Sequence, residues 1–370
     1  MKILFDYQIF GHQRVGGISR YFSALLQGLG RIKGVNTTLS LAYHRNQYLK
    51  GFDLPGPGWR MRLARRIMGQ SRAACNRQLS LCYLEQGEYD VFHPTNYDPY
   101  FLDALGSKPM VLTVHDMAHE RFQGQYLLDD HEQIIRNKRL LIERADAIIA
   151  VSRSTAQDLL HFHPRARDKV KVIHHGGTLF TQGEKLGGAL NGLPDQFLLF
   201  VGNRHHYKNF LGFIQAMAPI LRAQRDLYVI CAGARDFCDL ESATLLELGI
   251  HKQCRWVPAV DRDLGKLYTC ALMLVYPSLY EGFGLPVLEA FAHGCPVAVG
   301  RVGALPEVAG KAAVFFDPTC RVSMQQTIEK VIGDIFLRGE MQKNGYLRLK
   351  LFSWQRTVEE TTHIYRQILK

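Results

Sequence analysis

The chain of 370 residues lacks three features that would each define a class of protein. Its eight cysteines are scattered and form no C-x-x-C pair, which is typical of a reduced protein and argues against a disulfide or zinc framework. No run approaches the roughly 18 consecutive apolar residues of a membrane-spanning helix. The opening segment MKILFDYQIF is too short and too polar for a signal peptide, and it predicts a first strand. We therefore expect a cytoplasmic protein.

Two ligand-binding motifs are also missing. Gly16 and Gly17 precede a helix predicted from Ile18, but they are not part of a G-x-G-x-x-G sequence, which disfavours a dinucleotide-dependent dehydrogenase. The sequence Asp261–Arg262–Asp263 stands at a predicted helix start, so we interpret it as a helix cap and not as a metal-binding D-x-D motif. We expect neither a metal ion nor a resident cofactor.

What the chain does contain is a regular alternation of strands and helices, which is typical of parallel sheets covered by helices on both faces. The predicted strands are 2–6, 37–43, 89–93, 110–114, 147–151, 170–174, 197–201, 227–232, 254–258, 271–276, 296–299 and 312–315. The length suits two domains. We place the first domain at 1–180, a glycine-rich linker at 181–195 and the second domain at 196–353. A C-terminal helix at 354–370 is expected to pack on the first domain.

The net charge of +11 is distributed unevenly along the chain. Residues 1–183 hold 24 Lys and Arg against 16 Asp and Glu, whereas the remainder holds 21 against 18. A basic surface suits anionic lipid, phosphorylated ligands or nucleic acid. No nucleic-acid-binding motif accompanies the charge, so nucleic acid is not expected as a partner.

The segment 277–296, PSLYEGFGLPVLEAFAHGCP, predicts a tight loop between a buried strand and a short helix. Its glycines permit close approach of a ligand, and free N–H groups at the start of a helix bind anions. Those groups belong to Gly282, Phe283, Gly284 and Leu285. Glu281 precedes the helix and Glu289 lies about one turn inside it, so the two carboxylates could hold hydroxyls on either side of a phosphate. The alternative is that both are surface residues, which are favourable near a helix N-terminus.

Two cations and one histidine also stand at predicted strand ends. Arg204 and Lys208 lie in FLLFVGNRHHYKNF, between a strand and a helix that begins near Asn209. Arg grips phosphate oxygens in pairs and Lys acts as a point charge, so the two predict a diphosphate clamp, with ordinary surface charge as the alternative. His115 follows the strand 110–114, at the edge where parallel sheets bind ligands. A packing role is the alternative for any single histidine.

The motif EGFGLPVLE, two glutamates separated by seven residues, resembles the signature of retaining glycosyltransferases of family 4. Further segments support the resemblance through nearly the whole chain: VGGISRYF (15–22), LTVHDMAHE (112–120), AIIAVSRSTAQDL (147–159), VGNRHHYKNF (201–210) and LPEVAG (305–310). The resemblance implies the GT-B architecture, an α/β fold in which two Rossmann-like, doubly wound parallel-sheet domains face each other across a cleft. One departure is Tyr207, because many members of the family have Arg directly before the lysine that corresponds to Lys208.

The resemblance also implies roles for the residues singled out above. His115 and Glu281 become the catalytic residues, the first contacting the donor sugar and phosphate and the second holding sugar hydroxyls. Glu289 is implied to hold the ribose. The loop at Gly16 and Gly17 is implied to approach the donor phosphates or the acceptor. The two cations and the glycine loop would then stabilise a nucleotide-diphosphate leaving group without a metal.

The sequences TVHDMAHE and GNRHHYKNF resemble those of transferases that build bacterial O-antigens and other surface polysaccharides, several of them mannosyltransferases. We therefore expect retaining, metal-independent transfer of a hexose from a nucleotide sugar to a glycan or lipid-linked glycan acceptor in lipopolysaccharide O-antigen biosynthesis, with GDP-mannose as the first choice of donor. dTDP-rhamnose and UDP-hexoses are alternative donors. An inactive nucleotide-sugar-binding subunit of a polysaccharide assembly complex and an epimerase are the alternatives of another class.

Residues 59–82, WRMRLARRIMGQSRAACNRQLSLC, carry six arginines and no acid. Apolar residues intersperse them at roughly helical spacing, which predicts a basic amphipathic helix able to lie on an anionic membrane surface. A phosphate-bearing acceptor, or simple packing of the helix on the first domain, would explain the pattern equally well. In the membrane interpretation the protein is peripheral, on the inner face of the cytoplasmic membrane. The residues expected at this surface are Arg60, Arg62, Arg65 and Arg66.

Overall fold

The computed structural model describes residues 1–52, 66, 69, 71–125, 131–177, 192–204, 206–233, 235–258 and 261–370. The chain forms two compact units, of which the first comprises Met1–Gly176 with Ser353–Lys370 and the second comprises Gly177–Phe352. The end predicted for the first domain at residue 180 and most of the predicted linker 181–195 lie outside the described residues.

The first unit is built on parallel strands. They are β1 (Lys2–Phe5), β2 (Asn36–Leu39), β3 (Val91–His93), β4 (Val111–Val114), β5 (Ala147–Ala150) and β6 (Val170–Val172). Hydrogen bonds order them β2-β1-β3 and β4-β5-β6, and a parallel bridge between Phe92 and Met110 joins β3 to β4. The short, fully buried strands β4 and β5 are typical of a sheet covered on both faces.

Helices connect these strands. In the described part of the chain before β7 they are α1 (Gln8–His12), α2 (Gly17–Leu29), α3 (Arg72–Gln86), α4 (Leu102–Leu105), α5 (Ala118–Arg121), α6 (His131–Arg144) and α7 (Arg153–Phe162). Helix α2 forms because Tyr21, Leu25 and Leu29 recur on one face and are fully buried. Helix α7 begins where Ser152 Oγ accepts a hydrogen bond from the Thr155 N–H at 2.9 Å.

The second unit has one parallel sheet with the strand order β12-β11-β10-β7-β8-β9. Its strands are β7 (Gln196–Val201), β8 (Leu227–Ala232), β9 (Cys254–Val257), β10 (Met273–Tyr276), β11 (Val297–Gly300) and β12 (Val314–Phe316). The chain moves outward from β7 to β9 and then returns to lay β10 on the other side of β7. The strand order therefore reverses between β7 and β10, and ligands of such sheets bind outside the carboxyl ends of the strands at that point.

Helices cover both faces of this sheet. They are α8 (Phe210–Ala223), α9 (Asp239–Glu247), α10 (Asp261–Cys270), α11 (Leu285–Ala292), α12 (Leu305–Ala309), α13 (Arg321–Gly333) and α14 (Ile335–Leu349). Helix α13 packs against α8, and α14 packs against α11. The core between α8 and the sheet includes Phe200, Phe213 and Val229, all at most 1% exposed. The predicted α/β fold class with parallel sheets is confirmed.

The last helix, α15 (Trp354–Gln367), belongs to the first unit and packs along α2. It begins at a Ser353 cap, whose Oγ accepts from the Arg356 N–H at 3.4 Å. The approach is close, because a side chain at Gly28 would collide with Val358. Among the described residues, no helix combines the length and the apolar character needed to cross a membrane.

Candidate active site

Two segments meet at the carboxyl edge of the second sheet, where the strand order reverses. The short 3-10 helix His206–Lys208 follows β7, and the loop that contains Glu281 follows β10. The backbone N–H of Leu279 donates to the carbonyl oxygen of Tyr207 at 2.7 Å and ties the two segments together. The geometry therefore brings two residues 73 positions apart in the chain, Lys208 and Glu281, to one place.

Lys208 and Glu281 form a partly buried ion pair, with 2.6 Å between Nζ and Oε1 and the lysine side chain 18% exposed. The same Oε1 accepts a hydrogen bond from Ser278 Oγ at 2.6 Å. Nζ also lies 5.1 and 5.5 Å from the ring centroids of Tyr207 and Tyr276. Burial alone would lower the pKa of Lys208, but Glu281 and the two tyrosines outweigh it and hold that pKa well above its ordinary value. Lys208 therefore carries a fixed positive charge at the sheet edge.

The loop after Glu281 leads directly into α11. Gly284 precedes the helix with φ +104°, a left-handed conformation that favours glycine. The loop is fixed from outside as well, because the Ala304 N–H donates to the Glu281 carbonyl oxygen at 2.9 Å. A side chain on Gly303 would collide with that same oxygen. Residues 282–285 thus form the tight strand–loop–helix connection that the sequence predicts.

Glu289 lies inside α11 and is only 4% exposed. Tyr268 of α10 donates a hydrogen bond from Oη to Glu289 Oε2 at 2.8 Å. A buried carboxylate needs such donors to offset the loss of hydration. The interpretation of Glu289 as an ordinary surface residue is therefore wrong.

Arg204 also lies at this edge, but its guanidinium group has partners that the sequence did not reveal. Nε and Nη2 donate to the two carboxylate oxygens of Glu241 at 3.1 and 3.2 Å. Nη2 also donates to the carbonyl oxygens of Arg235 and Asp236, at 2.7 Å each. The guanidinium group is thus anchored to the segment before α9, whereas Lys208 pairs with Glu281.

In the first unit, His115 follows β4 as predicted and lies in an aromatic cluster. Its ring stacks on that of His175, with centroids 5.9 Å apart and planes 7° apart, and the edge of Tyr21 meets it at 5.2 Å. Burial lowers the pKa of His115 to about 4, with Asp116 opposing this shift and Lys138 adding to it. Nε2 is buried and has no hydrogen-bond partner in the described part of the chain. His115 is therefore a neutral imidazole, and no described group of the protein binds its Nε2.

The glycine pair opens α2, one turn before the tyrosine that contacts His115. Helix α2 begins at Gly17, and Gly16 precedes it in an extended conformation. A side chain on Gly16 would collide with the amide of Gln13, whose Oε1 accepts from the Ser19 N–H at 3.2 Å. Gly16 thus allows the chain to close tightly on the start of the helix.

Several contacts of the two sites were not predicted from the sequence. Ser278, Tyr268 and Glu241 each bind a predicted site residue, yet the sequence assigned a role to none of them. The Arg-rich segment gives less: Arg60, Arg62 and Arg65 lie outside the described residues, and Arg66 is exposed. Within the residues that are described, no group of three or more His, Cys, Asp and Glu side chains could hold a metal ion.

Two protein families match the chain. The sequence model described as Glycosyltransferase Family 4 matches residues 15–177, and the one described as Glycosyl transferases group 1 matches residues 190–348. An uncharacterized glycosyltransferase of Methanocaldococcus jannaschii is 29% identical over 296 residues, which cover 75% of each chain. The O-antigen chain mannosyltransferase B of Escherichia coli is 29% identical over 269 residues, which cover 71% of this chain and 62% of that protein. The alignment thus spans less than two thirds of the mannosyltransferase.

Among solved structures, sucrose-phosphate synthase from Thermosynechococcus elongatus superimposes with a TM-score of 0.76 at 19% identity, over 99% of this chain and 98% of that one. Two Rossmann-like units with parallel sheets define the GT-B class of glycosyltransferase. The chain belongs to glycosyltransferase family 4, as its motifs predict. Membership implies a nucleotide-sugar donor and a glycan acceptor.

Proposed function

We propose that the protein transfers a hexose, in first place mannose from GDP-mannose, to a glycan or lipid-linked glycan of a surface polysaccharide of the O-antigen type. We propose further that the transfer retains the anomeric configuration and needs no metal ion. The similarity to an O-antigen chain mannosyltransferase supports the choice of sugar. The observation that carries the proposal is the Lys208–Glu281 pair beside the start of α11.

Lys208 offsets the negative charge of the leaving group. A nucleoside diphosphate gains negative charge as the glycosidic bond breaks, and a preorganised cation in a site shielded from water stabilises that charge strongly. Nζ lies over two tyrosine rings and remains protonated because its pKa is raised. The backbone N–H groups of residues 283–285, at the start of α11, offer further donors to the same phosphates.

Glu281 holds the sugar. Its Oε1 is bound by Lys208 and Ser278, and neither bond uses Oε2. Oε2 can therefore accept hydrogen bonds from hydroxyls of the donor sugar and keep its reacting carbon in place. Glu289, held by Tyr268, accepts from the ribose hydroxyls. His115 contributes its remaining ring nitrogen to the donor sugar or phosphate.

A panel of nucleotides tests this proposal. The protein is heated with GDP, UDP, dTDP or ADP and with the corresponding sugars; a ligand at 100 times its Kd stabilises the folded state by about 2.7 kcal/mol. The best donor is then incubated with acceptor extracts in EDTA, and the anomeric proton of the product is examined by NMR. We expect stabilisation by GDP and a retained α-linkage. Binding without transfer favours an inactive binding subunit, and epimer formation favours an epimerase.

We propose that the Arg-rich segment brings the protein to lipid-linked acceptors. Of its arginines, Arg66, Arg72 and Arg77 are described and exposed. Each cation near an anionic surface contributes about 1 kcal/mol, and salt screens this attraction. Co-sedimentation with anionic vesicles but not with neutral ones, reversed at high salt, is the expected result. Equal, negligible sedimentation with both would contradict it.

A further inference from the structure

Residues 235–238, the β8 segment, follow β8 and have no regular secondary structure. Arg204 donates from Nη2 to the carbonyl oxygens of the first two of these residues. Glu241, which accepts from the same guanidinium group, also accepts from the N–H of the last residue of the segment at 2.9 Å. The backbone of the β8 segment is therefore fixed at both ends by a single ion pair.

The arrangement requires an arginine. The guanidinium carbon lies 4.9 Å from the ring centroid of Phe237 in the β8 segment and 5.5 Å from that of Phe210 in α8. The two rings lie 5.9 Å apart, with 18° between their planes. A planar guanidinium group stacks flat on rings and donates several hydrogen bonds in its own plane, whereas an ammonium group is a compact point charge without a plane to stack.

The β8 segment lies beside the candidate donor site. Strands β10, β7 and β8 are neighbours in that order, so the segment stands across β7 from Glu281. The ends of β7 and β8 approach closely, because a side chain on Gly233 would collide with the carbonyl oxygen of Gly202. A donor with its sugar at Glu281 and its diphosphate at Lys208 extends its nucleoside toward β8. The side chains of Arg235 and Asp236 are exposed there.

We propose that Arg204 is a positioning residue, which fixes the β8 segment as the wall of the donor site that contacts the nucleoside and does not itself bind the diphosphate. The inference rests on the proposed function, since it requires a nucleotide donor. It differs from the predicted clamp, in which Arg204 and Lys208 would bind the phosphates together. The β8 segment then belongs to the specificity-determining surface for the base.

Binding of a nucleoside diphosphate and of inorganic pyrophosphate separates the two roles. The nucleotide that stabilises the wild type most is titrated calorimetrically into the wild type, Arg204→Lys, Glu241→Gln and the double variant. We expect each single variant to raise the nucleotide Kd about tenfold and to leave the pyrophosphate Kd within about twofold. The double variant should bind no worse than either single one, since both changes release the same segment. In the same variants, the differences in Kd among GDP, UDP and dTDP should become smaller.

Two further variants keep the test decisive. Arg255→Lys changes an arginine that stacks on Tyr228 at 4.5 Å in the same sheet, and it should leave every Kd unchanged. Phe237→Leu keeps both charges, loosens the stacking and should give the same pattern in milder form, even if Arg204→Lys does not fold. A raised pyrophosphate Kd in Arg204→Lys with none in Glu241→Gln would overturn the inference in favour of the clamp. A lowered melting temperature with unchanged nucleotide binding would overturn it in favour of a purely structural role. A wild type that binds pyrophosphate but no nucleotide overturns the proposed function and the inference with it.

Discussion

The ion pairs Lys208–Glu281 and Arg204–Glu241 both lie at the carboxyl edge of the second sheet, and their surroundings differ. Lys208 Nζ contacts one carboxylate oxygen of Glu281, Oε1, at 2.6 Å. Arg204 uses both oxygens of Glu241 and two carbonyl oxygens besides. A ligand can displace the first contact at the cost of one bond, whereas displacing the second would break four. The lysine pair therefore suits a site that exchanges partners, and the arginine pair suits a support that does not.

The largest effect is expected at the carboxylate of the exchangeable pair. Glu281→Gln keeps the shape of the side chain but removes the charge that orders the sugar hydroxyls, so kcat should fall by about 10²–10³. The Kd for the free nucleoside diphosphate should stay within about threefold, because that ligand lacks the transferred hexose that residue 281 would contact. Steady-state kinetics and calorimetry measure the two quantities. Glu329→Gln, an exposed change in α13, is the control. A variant with more than a third of wild-type kcat would contradict the assignment.

The two pairs can be compared directly by removing the cation from each, Arg204 from one and Lys208 from the other. Arg204→Met leaves the buried Glu241 carboxylate with the Cys238 N–H but without its cation. It also removes the donor of two carbonyl oxygens, so the free energy of unfolding should fall by about 3–5 kcal/mol. Lys208→Met leaves Glu281 with its bond from Ser278, so the loss should be nearer about 1–2 kcal/mol, while the nucleotide Kd rises about 100-fold. Urea denaturation and calorimetry test both statements. Equal losses of stability would remove the distinction between the two pairs.

The first unit buries His93 between two uncharged hydroxyl groups, and its response to acid should differ from that of the ion pairs. His93 Nδ1 lies 2.6 Å from Tyr365 Oη, and Nε2 lies 2.9 Å from Thr113 Oγ1. Burial lowers the pKa of His93 to about 3, with a smaller contribution from His115. Because the folded pKa lies below the unfolded value near 6.5, the stabilisation is present above that pH and is lost as the pH falls toward 3. The raised pKa of Lys208 acts only in alkali, where its contribution is lost as the pH rises.

At pH 4.5 the His93 effect should cost about 2–3 kcal/mol relative to pH 7. Urea denaturation at the two pH values measures the cost. The double variant His93→Leu/Tyr365→Phe removes the base and one of its partners together, so its acid sensitivity should be smaller than that of the wild type by this amount. His44→Gln, at an exposed histidine, should retain the full sensitivity. If the double variant lost as much stability between pH 7 and pH 4.5 as the wild type, His93 would be protonated in the folded protein.

The local features of the fold and site were predictable because they depend on neighbours in the chain. Each predicted strand is present, with ends that differ by four residues or fewer. The EGFGL loop also forms as expected, since the glycine before α11 and the buried strand before Pro277 are local signals. Partners distant in sequence were not predictable. Glu241 lies 37 positions from Arg204, and Tyr365 lies 272 positions from His93. Only tertiary packing selects such partners, so the same arginine that predicts a phosphate ligand is found anchored to a carboxylate.

The smallest expected effect concerns the second glutamate of the motif. Tyr268 Oη donates to Glu289 Oε2 at 2.8 Å, and Tyr268→Phe removes this bond without changing the shape of the ring. A hydrogen bond of this kind contributes about 1 kcal/mol, so the donor KM should rise about three- to fivefold with kcat within twofold. Glu289→Gln should have the larger effect on KM, because it changes the group that contacts the ribose.

The double variant Tyr268→Phe/Glu289→Gln shows whether Tyr268 acts on the donor through Glu289. If Tyr268 only orients Glu289, Tyr268→Phe should add nothing in the Glu289→Gln background. Tyr228→Phe, at a tyrosine of β8 that stacks with Arg255, should leave KM unchanged. Effects of the two changes that multiply would mean that Tyr268 acts on the donor independently. In that case the hydrogen bond from Tyr268 does not hold Glu289 in place. Glu289 would then resemble Lys208, whose partner a ligand can replace, and not Arg204, which Glu241 holds fixed.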